Sequence, residues 1–571
     1  MFRRSHLQFL LAPVCFAALI VTALGSPMSA QSTMIYQPLV PTAIAPGSSS
    51  FILTVRGEGF ASGAKVRWNG KNRATTLVSS SQLNATILAA DVAHPGTATI
   101  TVQNPAGQIS NSVFFSVTNP ISPVTTTRID YPVTTTFFFT SRDVVVDVNG
   151  DGIQDLVVLN DERGGIGTIS VLLGTVAGAF KAPSVYSVGT SPNDLAVADI
   201  NGDHHPDLLA VNTDDNTMSV LLGNGDGTFQ PQVTYPAGTT PAGIAVGDFN
   251  GDGKLDAVVT NDQSGVSILL GNGDGTFQAP IFTAEKGAFS PAAVADFNGD
   301  SKLDIVIANF EFNGNMLFVM FGNGDGTFQT PVSYTLPYFG PTWVQAADLD
   351  GDGHLDLAIA GVFLATMKGN GDGTFQAAVD TGSESLMEGL TFGDLNGDGK
   401  LDVIAEALNN PIYYLGNGDG TFQNFVSLPL VISGITATVG DFNHDGALDI
   451  VSGGASIFYN GNVTFAPQAK LSSLTINFGN VVVGQSSSKN FTITNSGNAP
   501  LDITDLGFKG SGMNAFSTSF DCLTDLYPGQ SCTFPVTFTP SSVGTFQAHM
   551  GITDNAPNSP QAVGVMGNGT N

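Results

Sequence analysis

Cationic residues are few in this chain: 19 Lys and Arg among 571 residues, with no cluster of them. Nucleic acid is held chiefly through Lys and Arg on its phosphates, so that role is excluded. Cysteine is scarcer, at three. Cys15 lies in an N-terminal apolar run, and the other two, Cys522 and Cys532, have no His neighbour, which argues against a zinc site. The seven His form no Ser/His/Asp or Cys/His order, and no phosphate-cradling Gly loop follows a strand, so no catalytic constellation is legible. Beyond residue 24 no segment is long and apolar enough to cross a bilayer.

Glycine, by contrast, is abundant (68), while only 12% of residues are charged and 42% are hydrophobic. That balance suits short strands joined by tight turns, because glycine supplies the positive φ that turns need. Arg3 and Arg4, the apolar run 7–24 and the small residues near 26–30 read as an export signal over residues 1–30. In an oxidising compartment Cys522 and Cys532 are then expected to form a disulfide. An uncleaved anchor helix is the alternative reading, disfavoured by the short span.

Seven Asp-rich segments recur at intervals of 52, 49, 48, 52, 46 and 47 residues: DVNGDGIQD at Asp147, DINGDHHPD at Asp199, DFNGDGKLD at Asp248, DFNGDSKLD at Asp296, DLDGDGHLD at Asp348, DLNGDGKLD at Asp394 and DFNHDGALD at Asp441. A period near fifty residues marks a propeller or solenoid. Oxygen side chains at positions 1, 3, 5 and 9, with a backbone carbonyl at 7, make the alternating ligand set of a hard cation such as Ca²⁺. In the first loop these positions are Asp147, Asn149, Asp151, Asp155 and, through its carbonyl, Ile153; in the second Asp199, Asn201, Asp203, Asp207 and His205. The third has Asp248, Asn250, Asp252, Asp256 and Lys254, and the fourth Asp296, Asn298, Asp300, Asp304 and Lys302. The fifth has Asp348, Asp350, Asp352, Asp356 and His354. The sixth has Asp394, Asn396, Asp398, Asp402 and Lys400, and the seventh Asp441, Asn443, Asp445, Asp449 and Ala447.

An Asp/Asn/Gly turn that binds nothing would compete for a single copy. For seven copies it is poor, because converging carboxylates repel without a cation. Three carboxylates in each of six loops and four in the fifth make 22 of the chain's 48, so much of the formal charge of −29 is metal-site inventory. About seven structural calcium ions are expected. Position 12 carries Val158, Ala210, Val259, Ile307, Ile359, Ala405 and Ser452, which excludes the EF-hand with its position-12 Glu. Loops two and four look weakest, with His204 and Ser301 where others have Gly, and Pro206 follows in loop two. His204, His205, His354 and His444 are read as bystanders among hard oxygen donors.

Each repeat reads as four strands. In the third, PAGIAVGDFN enters the Asp loop, 255–261 leaves it, 265–271 follows, and a fourth strand begins TFQAP after the turn NGDG. The segment GNGDGTFQ recurs at Gly223, Gly271, Gly322, Gly369 and Gly416, and in degenerate form at Gly174 and Tyr459. Its Asp is read as a turn residue rather than a ligand. On these residues the chain closely resembles the FG-GAP/VCBS repeat family, including the propeller of integrin α subunits. The resemblance implies an all-β fold with a seven-bladed propeller over residues 129–468. A spare strand at either end, RIDYPVT before repeat one or VTFAPQ after repeat seven, is available to close the ring.

Residues 34–118 alternate apolar and polar residues through FILTVRGEGF, AKVRWNG, TATITVQNPAG and NSVFFSV, the pattern of a small sandwich. Through GEGF, VRWNG and the strand at 99–104 this unit resembles the IPT/TIG group of Ig-like domains, which act as spacers or interaction modules. A Pro/Thr-rich linker covers 119–128. Residues 470–571, with LTINFGNVVVG, SKNFTITNSGNAPLDIT and PGQSCTFPVTFTP, resemble the ASH (ASPM/SPD-2/Hydin) group, whose members often carry such a Cys pair.

In a four-stranded antiparallel blade, the Asp loops and NGDG turns share one face. The opposite face holds the connections that vary among the copies, where recognition usually resides. Phe289, Phe310, Phe312, Tyr338, Phe339, Trp343 and Phe363 are the candidate ligand-face residues; the alternative is that these rings plug the channel or pack between blades. The expected role is non-catalytic adhesion, or binding of an extracellular glycan or protein, by a secreted or cell-surface protein with no membrane span after signal cleavage. The alternatives are a metal-dependent enzyme degrading extracellular polysaccharide and a surface spacer without a ligand.

Overall fold

The computed structural model describes residues 33–119, 126–131, 139–161, 165–175, 178–262, 265–283, 291–309, 315–337, 340–381, 386–407, 410–429, 436–453, 455–461, 466–497, 499–519, 526–557 and 559–571. Residues 1–30, expected to be an export signal, lie outside them. The described chain is all-β, and its helical elements are two short 3₁₀ turns, Ala89–Val92 and Met513–Ala515. No helix among the described residues is long and apolar enough to cross a membrane.

The N-terminal unit is a sandwich of two sheets. One orders Met34–Val40, Phe51–Glu58, Gln82–Ile87 and Ala74–Ser79; the other orders Ala43–Ile44, Val113–Val117, Gly96–Gln103, Lys65–Trp68 and Lys71–Asn72. Alternate residues of Phe51–Glu58 point inward, as the two-residue strand period requires. Trp68 packs on Phe115, with ring centroids 5.3 Å apart, in the core between the sheets.

Between residues 126 and 460 the chain forms seven four-stranded antiparallel sheets. The third is Pro241–Gly247, Asp256–Asn261, Gly265–Leu269 and Ile281–Phe282, with Gly247 opposite Asp256 where the first strand turns into the Asp loop. Its middle strands are buried throughout. They read as continuous apolar runs because both faces are covered by neighbouring sheets; each buried Val or Leu contributes about 1.5–3 kcal/mol.

Each sheet's first strand packs on the first strand of the next: Phe139–Val146, Pro192–Ala198, Pro241–Gly247, Ala293–Ala295, Trp343–Ala347, Met387–Gly393 and Ala437–Gly440 follow in order, and the last returns to Phe139–Val146. The seventh sheet takes its outermost strand from far upstream. Thr126–Asp130 pairs antiparallel with Ser456–Asn460, so the strand before the first repeat, not the one after the last, completes this sheet.

One strand lies elsewhere than the sequence pattern places it. TFQAP is not the fourth strand of sheet three: Phe277 makes a single bridge to Gly271 that closes the NGDG turn, and pairing resumes at Ile281–Phe282. The Phe277 ring turns out of the sheet to meet Tyr235 of the preceding repeat edge-on at 5.6 Å. That contact takes TFQ off the ladder.

The C-terminal sandwich pairs Thr475–Val482 in parallel with Gln561–Thr570, followed by Gly544–Asp554 and Ile503–Lys509. Its second sheet orders Ala469–Leu471, Ser487–Asn495, Ser531–Phe538 and Phe516–Thr518. Its Tyr527 stacks on Tyr131 of the repeat region at 6.1 Å.

Candidate metal centres

The Asp loops fold alike because their side chains accept the loop's own backbone N–H groups. In loop three, Asp248 Oδ1 and Oδ2 accept from the N–H groups of Asp252 (3.1 Å) and Gly253 (2.9 Å), and Asn250 Oδ1 accepts from Asp252 (2.8 Å). Asp252 Oδ1 accepts from Lys254 at 3.0 Å. The Asn250 and Asp252 bonds, each two residues on, are Asx turns, the local bonding for which Asp and Asn are favoured.

Position 9 has a further duty. Asp256 Oδ2 accepts from Phe249 N–H at 3.0 Å and Oδ1 from Gly271 N–H at 2.8 Å, joining the Asp loop to the start of the NGDG segment. The same pair of bonds recurs at Asp155, Asp207, Asp304, Asp356 and Asp402, and at Asp449 with Asn460 in the second place. The Asp loop and the NGDG turn therefore sit side by side. The turn's own Asp is spent locally: Asp274 Oδ1 accepts from the Thr276 N–H (3.1 Å) and hydroxyl (2.6 Å).

Burial pushes the position-9 carboxyls up, to about 7 for Asp155, Asp207, Asp256 and Asp304, about 6 for Asp356 and about 8 for Asp402. The N–H bonds oppose this, and the carboxylates at positions 1 and 5 (or 3 in loop five) add repulsion. A desolvated carboxylate group of this kind, made of hard oxygens alone, fits a Ca²⁺ ion. In loop five, oxygens of Asp348, Asp350 and Asp356 lie within 4.8 Å of one another. Positions 1, 3 and 9 thus converge, and Asp352 at position 5 stands outside that group. Loop five alone has Asp rather than Asn at position 3.

Loops two and four keep the common bonding pattern despite lacking Gly at position 6. His204 and Ser301 occupy left-handed backbone (φ 70° and 67°), where the other loops have Gly, as at Gly253 (φ 85°). Their N–H groups bond to Asp199 and Asp296 at 2.8 and 2.9 Å. All seven position-12 residues are buried in second strands.

The N-terminal sandwich reaches onto these loops, which the sequence reading did not anticipate. Glu58 Oε2 accepts from Asp248 N–H at 3.3 Å. Arg56 donates to Gly353 O at 2.6 Å and lies 3.4 Å from Asp348 Oδ2, and the Thr97 hydroxyl donates to Asp441. Burial pushes the Glu58 carboxyl up to about 8, helped by repulsion from Asp248. No local pattern in FILTVRGE or GTATITVQ signals these contacts, since their partners lie far along the chain.

Of the ligand-face candidates, Phe289, Phe310, Phe312, Tyr338 and Phe339 fall outside the described residues. Trp343 is buried in the core between sheets five and six, with the Arg142 guanidinium 4.7 Å above its ring. Phe363 is half-buried in the connection between the second and third strands of sheet five. Cys532 is half-buried in Ser531–Phe538, while Cys522 falls outside the described residues.

The family descriptions that match agree with this division. An FG-GAP-like repeat matches at 147–210, 199–259, 248–307, 296–359 and 360–405; an IPT/TIG domain matches 38–117; and a HYDIN/CFA65/VesB-like Ig-like domain matches 467–568. The chain carries all three, and the repeat match stops short of the loop at Asp441. No curated protein matches the chain.

Among solved structures, it is similar to an Agrocybe aegerita lectin that recognises non-reducing terminal N-acetylglucosamine (20% identity, 65% of this chain and 95% of that one, TM-score 0.39). It is similar to the V. cholerae biofilm matrix protein Bap1 (13%, 59% and 91%, TM-score 0.35). It is also similar to an ASH/PapD-like domain of human CEP192 (13%, 19% and 90%, TM-score 0.16).

Proposed function

We propose that the seven sheets are the blades of a β-propeller sealed by Thr126–Asp130, that each Asp loop holds one structural Ca²⁺, and that the exported protein binds an extracellular glycan or protein without catalysis. The observation that carries the metal reading is the sevenfold recurrence of one oxygen-lined loop, its position-9 carboxylate desolvated against other carboxylates. The cyclic packing of first strands supports the propeller. Residues at positions 1, 3, 5 and 9 and the carbonyl at 7 would hold the ion, which neutralises the cluster and ties the loop to the NGDG turn. Without a bidentate Glu, affinities fall in the weak extracellular range of roughly 10⁻⁴–10⁻³ M.

The N-terminal sandwich lies against loops three, five and seven, which leaves the opposite face for a ligand. Export and the Cys522–Cys532 bridge belong to the same reading.

The test has two arms. Metal analysis and melting of the secreted protein, with calcium and with EGTA, should give about seven ions and a lower Tm after chelation; one ion or none, with no effect of EGTA, refutes the calcium reading. A glycan array with the same protein should show binding without turnover. Metal-dependent depolymerisation of an acidic polysaccharide would make the protein an enzyme instead.

A further inference from the structure

Arg56 and Glu58 stand two residues apart on the strand Phe51–Glu58, so both project to one side of it. They end on different loops. Arg56 meets loop five, the one with four carboxylates. Glu58 meets loop three, which has three and needs no further negative charge unless a cation is there.

Glu58 is 7% exposed, and its Oε1 has no hydrogen-bond partner. The Tyr36 hydroxyl is the neutral neighbour of that carboxylate and a donor toward it, short of full hydrogen-bond geometry and without the positive charge that would pair it. The nearby lysines are engaged elsewhere, Lys254 with Asp252 and Lys302 with Asp300. Among the described residues no cation pairs with Glu58. A buried carboxylate left beside other carboxylates is costly, and such groups persist when paired or when they coordinate metal.

The carboxylate is not there by chance exposure. Met34 packs on the core of sheets two and three, and Tyr36 on that of sheets three and four, which seats this end of the sandwich. Gly57 lets the strand pass, since a Cβ there would stand 1.9 Å from Met34 O. A cavity of about 200 Å³ opens beside Glu58, bounded also by Asp248, Gly251, Asp296, Lys302 and Asn323. At ~30 Å³ per water it has room for several waters around an ion.

We infer that Glu58 is a calcium ligand of the loop 248–256, contributed by the N-terminal sandwich, so that this one site spans two domains. It supplies from another domain the carboxylate that no loop has at position 12. The inference rests on the calcium reading of the loops. It makes occupancy of loop three depend on docking of the sandwich, and docking depend on calcium.

The test uses the full chain carrying E58Q, which keeps shape and removes charge, with D252N in loop three and D300N in loop four for comparison. Calcium titration of E58Q should show one site weakened at least tenfold and the others unchanged. In EGTA, E58Q should melt at or above the wild-type temperature, and in saturating calcium below it. E58Q and D252N should be non-additive because they share an ion, whereas E58Q and D300N should add. An E58Q chain with wild-type calcium affinity at every site, or with the same Tm change in EGTA and in calcium, overturns the assignment. A wild-type chain that takes up no calcium fails differently, since it refutes the metal reading of all the loops.

Discussion

Asp256 and Gly271 are joined by a 2.8 Å bond from the glycine N–H to the aspartate Oδ1. The other Asp256 oxygen holds Phe249 N–H. One buried side chain thus sets both the entry to the second strand and the exit from the third.

Replacing Asp256 with Ala leaves two buried N–H donors unsatisfied, at about 1–3 kcal/mol each. The loss should therefore be plain in EGTA as well as in calcium. D252N, whose side chain sits outside the strand junction, should affect only the calcium-loaded protein. Chemical denaturation of both variants in both conditions checks the contrast.

Ser301 holds a left-handed φ of 67° that costs an L-residue about 1–2 kcal/mol. S301G should raise stability by about 1 kcal/mol, and H204G should do the same in loop two. Urea midpoints shifted downward by both substitutions would refute this account of loops two and four.

Glu406 is buried against the repeat core. Its Oε2 accepts a short bond from the Ser452 hydroxyl. Burial pushes its carboxyl up to about 8, the Ser452 bond opposes this, and Asp143 and Glu388 add repulsion. A folded value above the unfolded 4.5 means that protons bind the folded state more tightly. Its stabilisation is thus complete below about pH 4.5 and lost as pH rises toward 8. E406Q should accordingly raise Tm at pH 8.5 and change it little at pH 4.5. A Tm gain that is equal at both pH values would count against it.

Trp343 is core rather than an exposed anchor. W343A should cost about 3–5 kcal/mol, as large-to-small core changes do, and expose the Arg142 guanidinium. A variant with wild-type Tm that has lost ligand binding would instead restore Trp343 to the binding face.

The repeat architecture was legible because it is written locally and many times over. Asp at positions 1, 5 and 9 announces the loop, and the apolar second strands that follow announce the sheet. The double use of Asp256 was not legible, since its N–H partners are named by geometry and not by residue type. TFQ was misplaced for a related reason: Phe277 has every mark of a strand residue, yet its ring is claimed by Tyr235 of the neighbouring repeat. Trp343, read as one of two alternatives, resolved to the packed one because a first-strand position faces the next sheet. Glu58 and Arg56 could not be assigned at all, because what they touch lies some 190 and 290 residues downstream.

The pairing of Asp130 with Ser456 brings together residues 326 positions apart. At ~5–20 residues per second, a ribosome needs roughly 15–65 seconds to travel between them. Throughout that interval the earliest strand of the repeat region waits without its neighbour. When Ser456–Asn460 does emerge, the seventh sheet is three strands wide with a bare edge, the kind of surface that recruits strands from other chains. The order of synthesis therefore makes this sheet the last to be sealed, and its capture by Thr126–Asp130 the step at which folding and aggregation compete.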